Sequence, residues 1–258
     1  MHKYEKGELS REINKLGRRW YRKLTKEFRH KDVPTDEFIK HENWRNYLIE
    51  HFNIENTDIL EVGSRNVIGG VTKNLFPKAN YIGFDYYEGE NVDVVGDAHE
   101  LSKYFDKKFD LIYCSAVFEH LAMPWKVSTE IIKILKPGGY VFIETHYSYS
   151  SHERPWHFFQ FSENALDVLF PETFGMKCIR KGCSNLIEGF FSKKYAAKAL
   201  QGTPVTGLYC HSEYLGQKQK EVDNLSWDGI CLADVVGATK YPSQKNDPHF
   251  PDILHRNK

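Results

Sequence analysis

Residues 57–70 constrain this chain more than any other stretch. Thr57-Asp58-Ile59-Leu60-Glu61-Val62 is a short apolar run ending beside an acid, broken at Gly63 and turned again at Gly69-Gly70. An apolar run bounded by glycine reads as a buried strand entering a loop. A glycine there lets backbone approach a ligand closely, because no Cβ stands in the way. A second acid, Asp85, follows Gly63 by 22 positions, at the tip of the apolar run Tyr81-Ile82-Gly83-Phe84. That spacing suits a nucleoside site in a doubly wound sheet: the loop faces one part of the ligand, and the acid accepts from ribose hydroxyls.

Downstream, strand and helix patterns alternate. Strands are expected at residues 58–62, 80–84, 92–95, 109–114 and 140–145, with late strands at 176–180 and 230–236. Short helices are expected near 70–76 and from Ser162, a plausible N-cap, through Phe170. Between them, Pro124 opens a helix whose Val127, Ile131, Ile134 and Leu135 share a face, and Pro137-Gly138-Gly139 ends it. This order predicts an α/β fold, a mostly parallel seven-stranded sheet with helices on both faces. Upstream, Leu9, Ile13, Leu16, Trp20 and Leu24 recur at helical steps, and residues 36–52 give a second helix carrying Phe38, Trp44, Tyr47, Leu48 and Phe52. Residues 1–52 therefore read as a helical cap on a main domain of 53–258. Residues 184–229 resist assignment, although Phe190, Phe191, Tyr195 and Trp227 are candidates for a pocket wall.

Charge narrows the partners. Lys plus Arg equals Asp plus Glu at 35 each, so the chain has no general bias toward nucleic acid or anionic membrane. Residues 1–32 nevertheless hold 11 Lys/Arg against 5 Asp/Glu, a net of +6. That excess reads either as a solvated helix face or as a surface for a phosphate or RNA. No apolar run is long enough to span a bilayer, and the polar start of the chain does not read as a signal peptide. Five cysteines form no CxxC pair, so reduced thiols and a cytoplasmic location are expected.

Ligands of open α/β sheets gather at the carboxyl ends of the strands. Here those ends carry Glu61, Gly63, Ser64 and Arg65; then Asp85; then Asp97 and Ala98; then Ser115, Glu119 and His120; then Glu144, Thr145 and His146. Acids at three neighbouring tips would repel a pyrophosphate and suit a ligand with a cationic or hydroxyl-rich face. That disfavours NAD, as does the missing GxGxxG in Gly63-Ser64-Arg65-Asn66-Val67-Ile68.

Five segments, in order, resemble class I S-adenosylmethionine (SAM) dependent methyltransferases, and in particular the bacterial branch with a type 11 methyltransferase domain. They are Leu60 to Arg65, Tyr81 to Asp85, Val92 to His99, Phe109-Asp110 through Phe118-Glu119-His120, and Ile134 to Gly139. The resemblance covers roughly residues 57–170 and implies a Rossmann-like fold. It implies that Glu61 and the Gly63 loop, with Ser64 and Arg65, face the methionine part of SAM. It also implies that Asp85 binds the ribose, Tyr86 and Asp97 with the Ala98 backbone meet adenine, and Ser115 lines the site beneath the sulfonium. The loop departs from the family's commoner pattern, which has more glycines where Ser64 and Arg65 stand.

Methyl transfer from a sulfonium needs alignment, exclusion of water and, for a hydroxyl acceptor, a base. Candidate bases are His146, nearest a strand tip, and His120, followed by His152 and His157. The segment 146–159, with three His, Arg154 and several aromatics, points to a polar substrate held by Tyr147, His152, Arg154 and His157. A metal site from these His with Glu153 has no recognised spacing, and none is expected. The reading is O-methylation of a small polar metabolite, such as a capsule or lipopolysaccharide sugar or a phosphorylated precursor. The alternatives are an RNA methyltransferase using the basic N-terminal helix and a SAM-binding protein without turnover.

Overall fold

The computed structural model describes residues 41–67, 69 and 71–236, together with Gly17, Phe28 and Val33. Apart from Gly17 and Phe28, the helix expected over 9–28 lies outside the described residues, as do Phe38 and Gly70. Two compact units divide the chain: Pro34–Asn185 with Tyr209–Asn246, and Met1–Val33 with Leu186–Leu208 and Asp247–Lys258.

The first unit runs α1 (His41–Phe52), β1 (Asp58–Val62), β2 (Asn80–Asp85), β3 (Val94–Val95), β4 (Phe109–Ser115), α2 (Pro124–Ile134), β5 (Leu135–His146), α3 (Glu163–Leu169) and β6 (Met176–Leu186). In the second, β7 (Gly189–Phe190) pairs antiparallel with β8 (Pro204–Val205), and Phe190 meets Phe28 edge-on at 5.4 Å. The first unit then closes with β9 (Tyr209–Lys218) and α4 (Leu232–Val236).

Seven strands form one sheet in the order β3-β2-β1-β4-β5-β9-β6. The pairs β1–β2, β2–β3, β1–β4 and β4–β5 are parallel, and β5–β9 is antiparallel. From β1 the chain moves outward through β2 and β3, then crosses back to β4. That reversal opens a crevice at the carboxyl ends of β1 and β4, where side chains converge.

The sheet is apolar on both faces because helices cover both. Leu60 and Val62 of β1 join α2 and α3 residues in one core, while Ile59 joins Trp44, Leu48 and Phe52 in the other. Those three residues recur every four positions, forming a single buried stripe on α1. Helix α2 starts at Pro124, whose missing N–H costs nothing in the first turn.

Several expected boundaries shift. Helix α2 ends at Ile134, before Pro137, and Leu135 already belongs to β5. The register slips there, with Phe109 opposite Leu135 but Leu111 opposite Tyr140, so Lys136-Pro137-Gly138-Gly139 is bulged out. Lys136 thereby reaches Asp110 at 2.8 Å and Asp58 at 3.0 Å. The helix expected near 70–76 is a 3-10 turn over Thr72–Leu75, and the third strand keeps only Val94–Val95.

The late strand expected at 230–236 is instead the short helix α4. Asp234 reaches back to the Cys231 N–H at 2.8 Å, a capping contact that starts a helix. The seventh strand is β9, inside the segment whose sequence resisted assignment. Trp227 packs edge-on against Phe174 at 5.0 Å and donates to the Trp125 carbonyl.

Candidate functional site

The loop after β1 is held close to the loop after β4. Gly63 has φ 83°, and a Cβ there would lie 2.1 Å from a Val117 methyl. The Gly63 and Ser64 N–H groups both donate to the Phe84 carbonyl, at 2.8 and 3.1 Å, tying the loop to β2. At the tip of β2, Asp85 accepts from the backbone N–H of Arg65 at 3.2 Å and of Tyr87 at 3.0 Å. The Arg65 Nε lies 3.5 Å from the same carboxylate.

Glu61 lies buried between these loops, accepting from the Tyr81 hydroxyl and from Asn91 Nδ2. Burial pushes its carboxyl up to about 7, against the pull of hydrogen bonds from Thr72 and Asn91. Asn91 is held there at φ 71°, and its carbonyl oxygen would sit 1.9 Å from a Cβ on Gly83. The buried atoms Ser64 Oγ, Arg65 Nε and Asn91 Oδ1 have no hydrogen-bond partner. Buried polar atoms left unpaired at a strand-end crevice fit a hydroxyl-bearing, amine-bearing ligand that completes them. Asn91 was not singled out by sequence; its one signal is its place in the Gly89-Glu90-Asn91 turn.

Asp97 caps the 3-10 helix Ala98–Tyr104 by accepting from the His99 N–H at 2.9 Å. The His99 ring sits 2.7 Å from the same oxygen and accepts from the Met123 N–H through its other nitrogen. Burial raises the Asp97 carboxyl, but the His99 contacts outweigh it and leave it lowered. Ala98 follows at the crevice edge, and Tyr86 is exposed, edge-on to Tyr87 at 5.0 Å.

Ser115 donates to Glu144 at 2.9 Å across β4 and β5. The other Glu144 oxygen meets the His41 ring at the start of α1, which raises the His41 pKa. His41 carries no readable signal of this, since its partner lies 103 positions away.

A second constellation stands at the tips of β4 and β5. Glu119 is fully buried, and one oxygen accepts from the Thr145 hydroxyl at 2.6 Å. The other lies 2.9 Å from His146 Nδ1, yet misaligned, so neither atom has a formed hydrogen bond. Burial raises the Glu119 carboxyl, while His146 and Thr145 more than offset it and leave it lowered. The His146 ring stacks on Tyr149 at 4.7 Å and meets His152 edge-on at 5.1 Å. His120 lies edge-on to His152 at 4.9 Å and to His157 at 5.7 Å.

The loop after β5 is pinned back over this cluster. The N–H groups of Phe158 and Phe159 donate to the Glu119 carbonyl, at 2.8 and 3.2 Å, and Phe161 donates to His146. His120, His146, His152 and His157 are thus brought together. Tyr147 and Arg154 are not among them: Tyr147 faces Tyr209 at 6.3 Å, and Arg154 donates to Ser151 within the loop. Among the described residues, no helix is long and apolar enough to cross a membrane.

Residues 4–175 match the family model of a methyltransferase domain. A tRNA U34 carboxymethyltransferase of Campylobacter curvus is 28% identical over 131 residues, covering 45% of this chain and 42% of that protein. Its counterpart from Nautilia profundicola is 31% identical over 127 residues, covering 44% of this chain and 41% of that protein. The chain therefore spans about two fifths of the length of these curated relatives. Among solved structures, the YcgJ protein of Bacillus subtilis is 17% identical with a TM-score of 0.49, covering 70% of this chain and 100% of that one.

Proposed function

This chain belongs to the methyltransferase-domain family, and from that premise we propose that it methylates a hydroxyl oxygen of a small polar acceptor, a sugar or phosphorylated sugar, with His146 as base. When bound, S-adenosylmethionine supplies a methyl group on a sulfonium, already an excellent leaving group. Glu61, Ser64 and Arg65 would hold its methionine end, Asp85 its ribose, and Asp97 with Ala98 its adenine. The protein's own work is then to orient the acceptor, exclude water and accept one proton.

The observation that carries this reading is the buried Glu119–His146 pair at the tip of β5, roofed by the loop that holds His152 and His157. A carboxylate oxygen 2.9 Å from one imidazole nitrogen needs only a small rotation to bond that nitrogen's proton, which would leave the other nitrogen to take a proton from the acceptor. Tyr149, stacked on His146, gives a flat wall of the kind sugar rings pack against. The test is a panel of sugar and sugar-phosphate acceptors with SAM, read by release of S-adenosylhomocysteine. One acceptor should turn over, and His146→Ala should lower its kcat about 10²–10⁴-fold without changing SAM affinity. Turnover of that acceptor at the parental rate by the alanine variant would remove His146 as base; inertness of every sugar would remove the acceptor class.

A second reading has one observation in its favour. Both curated relatives are tRNA-modifying by name, and residues 1–32 carry a net +6 in a chain that is neutral overall. An RNA acceptor would use that charge on phosphates.

A further inference from the structure

We infer that Glu119, His120 and His152 form a binding site for a divalent transition-metal ion of the zinc type. One ligand atom from each lies within 4.8 Å of the other two. Two imidazoles and one carboxylate are a set zinc accepts, leaving a further position open. Donors around a tetrahedral zinc stand roughly 3.4 Å apart, so closure asks for side-chain shifts of about an ångström.

The two imidazoles are already set in the ligating tautomer. His120 Nδ1 lies 2.6 Å from the Trp156 carbonyl, and His152 Nδ1 lies 3.0 Å from the Ser150 carbonyl. A carbonyl oxygen can only accept, so both Nδ1 atoms carry a proton and Nε2 is the atom each ring can offer an ion. Backbone carbonyls behind ligating histidines are the usual outer support of a metal site. Both carbonyls belong to the loop pinned over the cluster, so one peptide segment orients both rings.

An independent observation points to an absent cation. Glu119 is fully buried, and the oxygen that does not accept from Thr145 has no formed hydrogen bond, with His146 Nδ1 2.9 Å away and the His120 and His152 rings within ligating reach of the carboxylate. A desolvated carboxylate oxygen without a formed hydrogen bond is costly unless a cation completes it. Glu153, the carboxylate that the sequence put nearest these histidines, lies 3.6 Å from His120 Nε2 and is largely exposed. It must swing toward solvent as the ion enters. No short motif announces the site, because His152 stands 32 positions beyond His120 and reaches it only through the loop.

The ion's binding depends on these ligands alone, and SAM binding is a separate measurement. Chelator-stripped full-length protein is dialysed against zinc chloride and, in parallel, magnesium chloride, and bound metal is counted by atomic emission. One zinc per chain should bind and magnesium should not compete. His120→Ala and His152→Ala should each weaken zinc at least about tenfold, while His51→Ala, on the exposed face of α1, should not. Each variant should keep its affinity for SAM within twofold, and His120→Gln or His152→Gln replaces any alanine variant that does not. Cobalt in place of zinc should give the intense visible bands of a low-coordinate imidazole site, lost in the same two variants. Zinc absent from the parent, or held at parental affinity by both substituted proteins, overturns the assignment and leaves the methyltransferase reading untouched.

Discussion

At the scale of single residues, Gly63 answers to two demands at once. Its φ of 83° disfavours a side chain, and a Cβ would meet the Val117 methyl at 2.1 Å. The first costs about 1–2 kcal/mol; the second costs about 1–3 kcal/mol unless Val117 moves. Gly63→Ala should therefore destabilise the fold by roughly 2–5 kcal/mol and weaken SAM more than tenfold. Val117→Ala makes room without changing φ, so the double variant should recover part of the stability lost and not all of it. Urea denaturation of the four proteins gives the coupling directly. Full recovery would show that Val117 alone opposes a side chain here; no recovery would show that the backbone conformation does. Glu119 shows the limit of reading residues one at a time. Sequence placed it beside His120 beyond the fourth strand, yet its partners Thr145 and His146 lie 26 and 27 positions away and decide its role.

At the scale of elements, the strands β1, β2 and β4 were legible because each is a mostly apolar run covered by helices on both faces. The Ser162 cap was legible too, since capping is local: its hydroxyl accepts from the Ala165 N–H at 3.2 Å. Strand β9 was not. It buries Ser212, Glu213 and Lys218, each hydrogen-bonded to a partner far along the chain, so its burial leaves no purely apolar pattern. Glu213 stands opposite Glu144 in the β5–β9 ladder, and its only hydrogen-bond donor among the described residues is the Ser184 hydroxyl. Burial, helped by the Glu144 charge, pushes its carboxyl up to about 9. The folded chain thus keeps a proton that the unfolded chain releases near pH 4.3. Stability from this group is full below that pH, falls as pH rises, and levels off above about 9. Glu213→Gln mimics the protonated acid at every pH. Its melting temperature should match the parent near pH 5 and exceed it by several degrees at pH 9. A constant offset across that range would mean the native carboxyl titrates normally.

At the scale of the whole molecule, the question is whether the acceptor is small or a nucleic acid, and salt dependence tests it. The described crevice is lined by Glu61, Asp85, Asp97, Glu119 and Glu144, and the excess of positive charge lies in residues 1–32. A strand of RNA would have to gain its affinity there. Neutralising six phosphates costs about 10³-fold in affinity between 50 and 200 mM salt. A sugar bound by hydrogen bonds and ring stacking has no such dependence, because no counterions are released. If the acceptor is small, kcat/KM for it should change less than about threefold over that range. The triple substitution Arg18→Glu, Arg19→Glu and Arg22→Glu should leave it unchanged as well. If RNA is the acceptor, both changes should abolish methylation together, with RNA retention on a filter falling in step. A steep salt slope that survives the triple substitution fits neither case and would move the anion-binding surface onto the second unit's Lys193, Lys194 and Lys198, or elsewhere beyond residues 1–32.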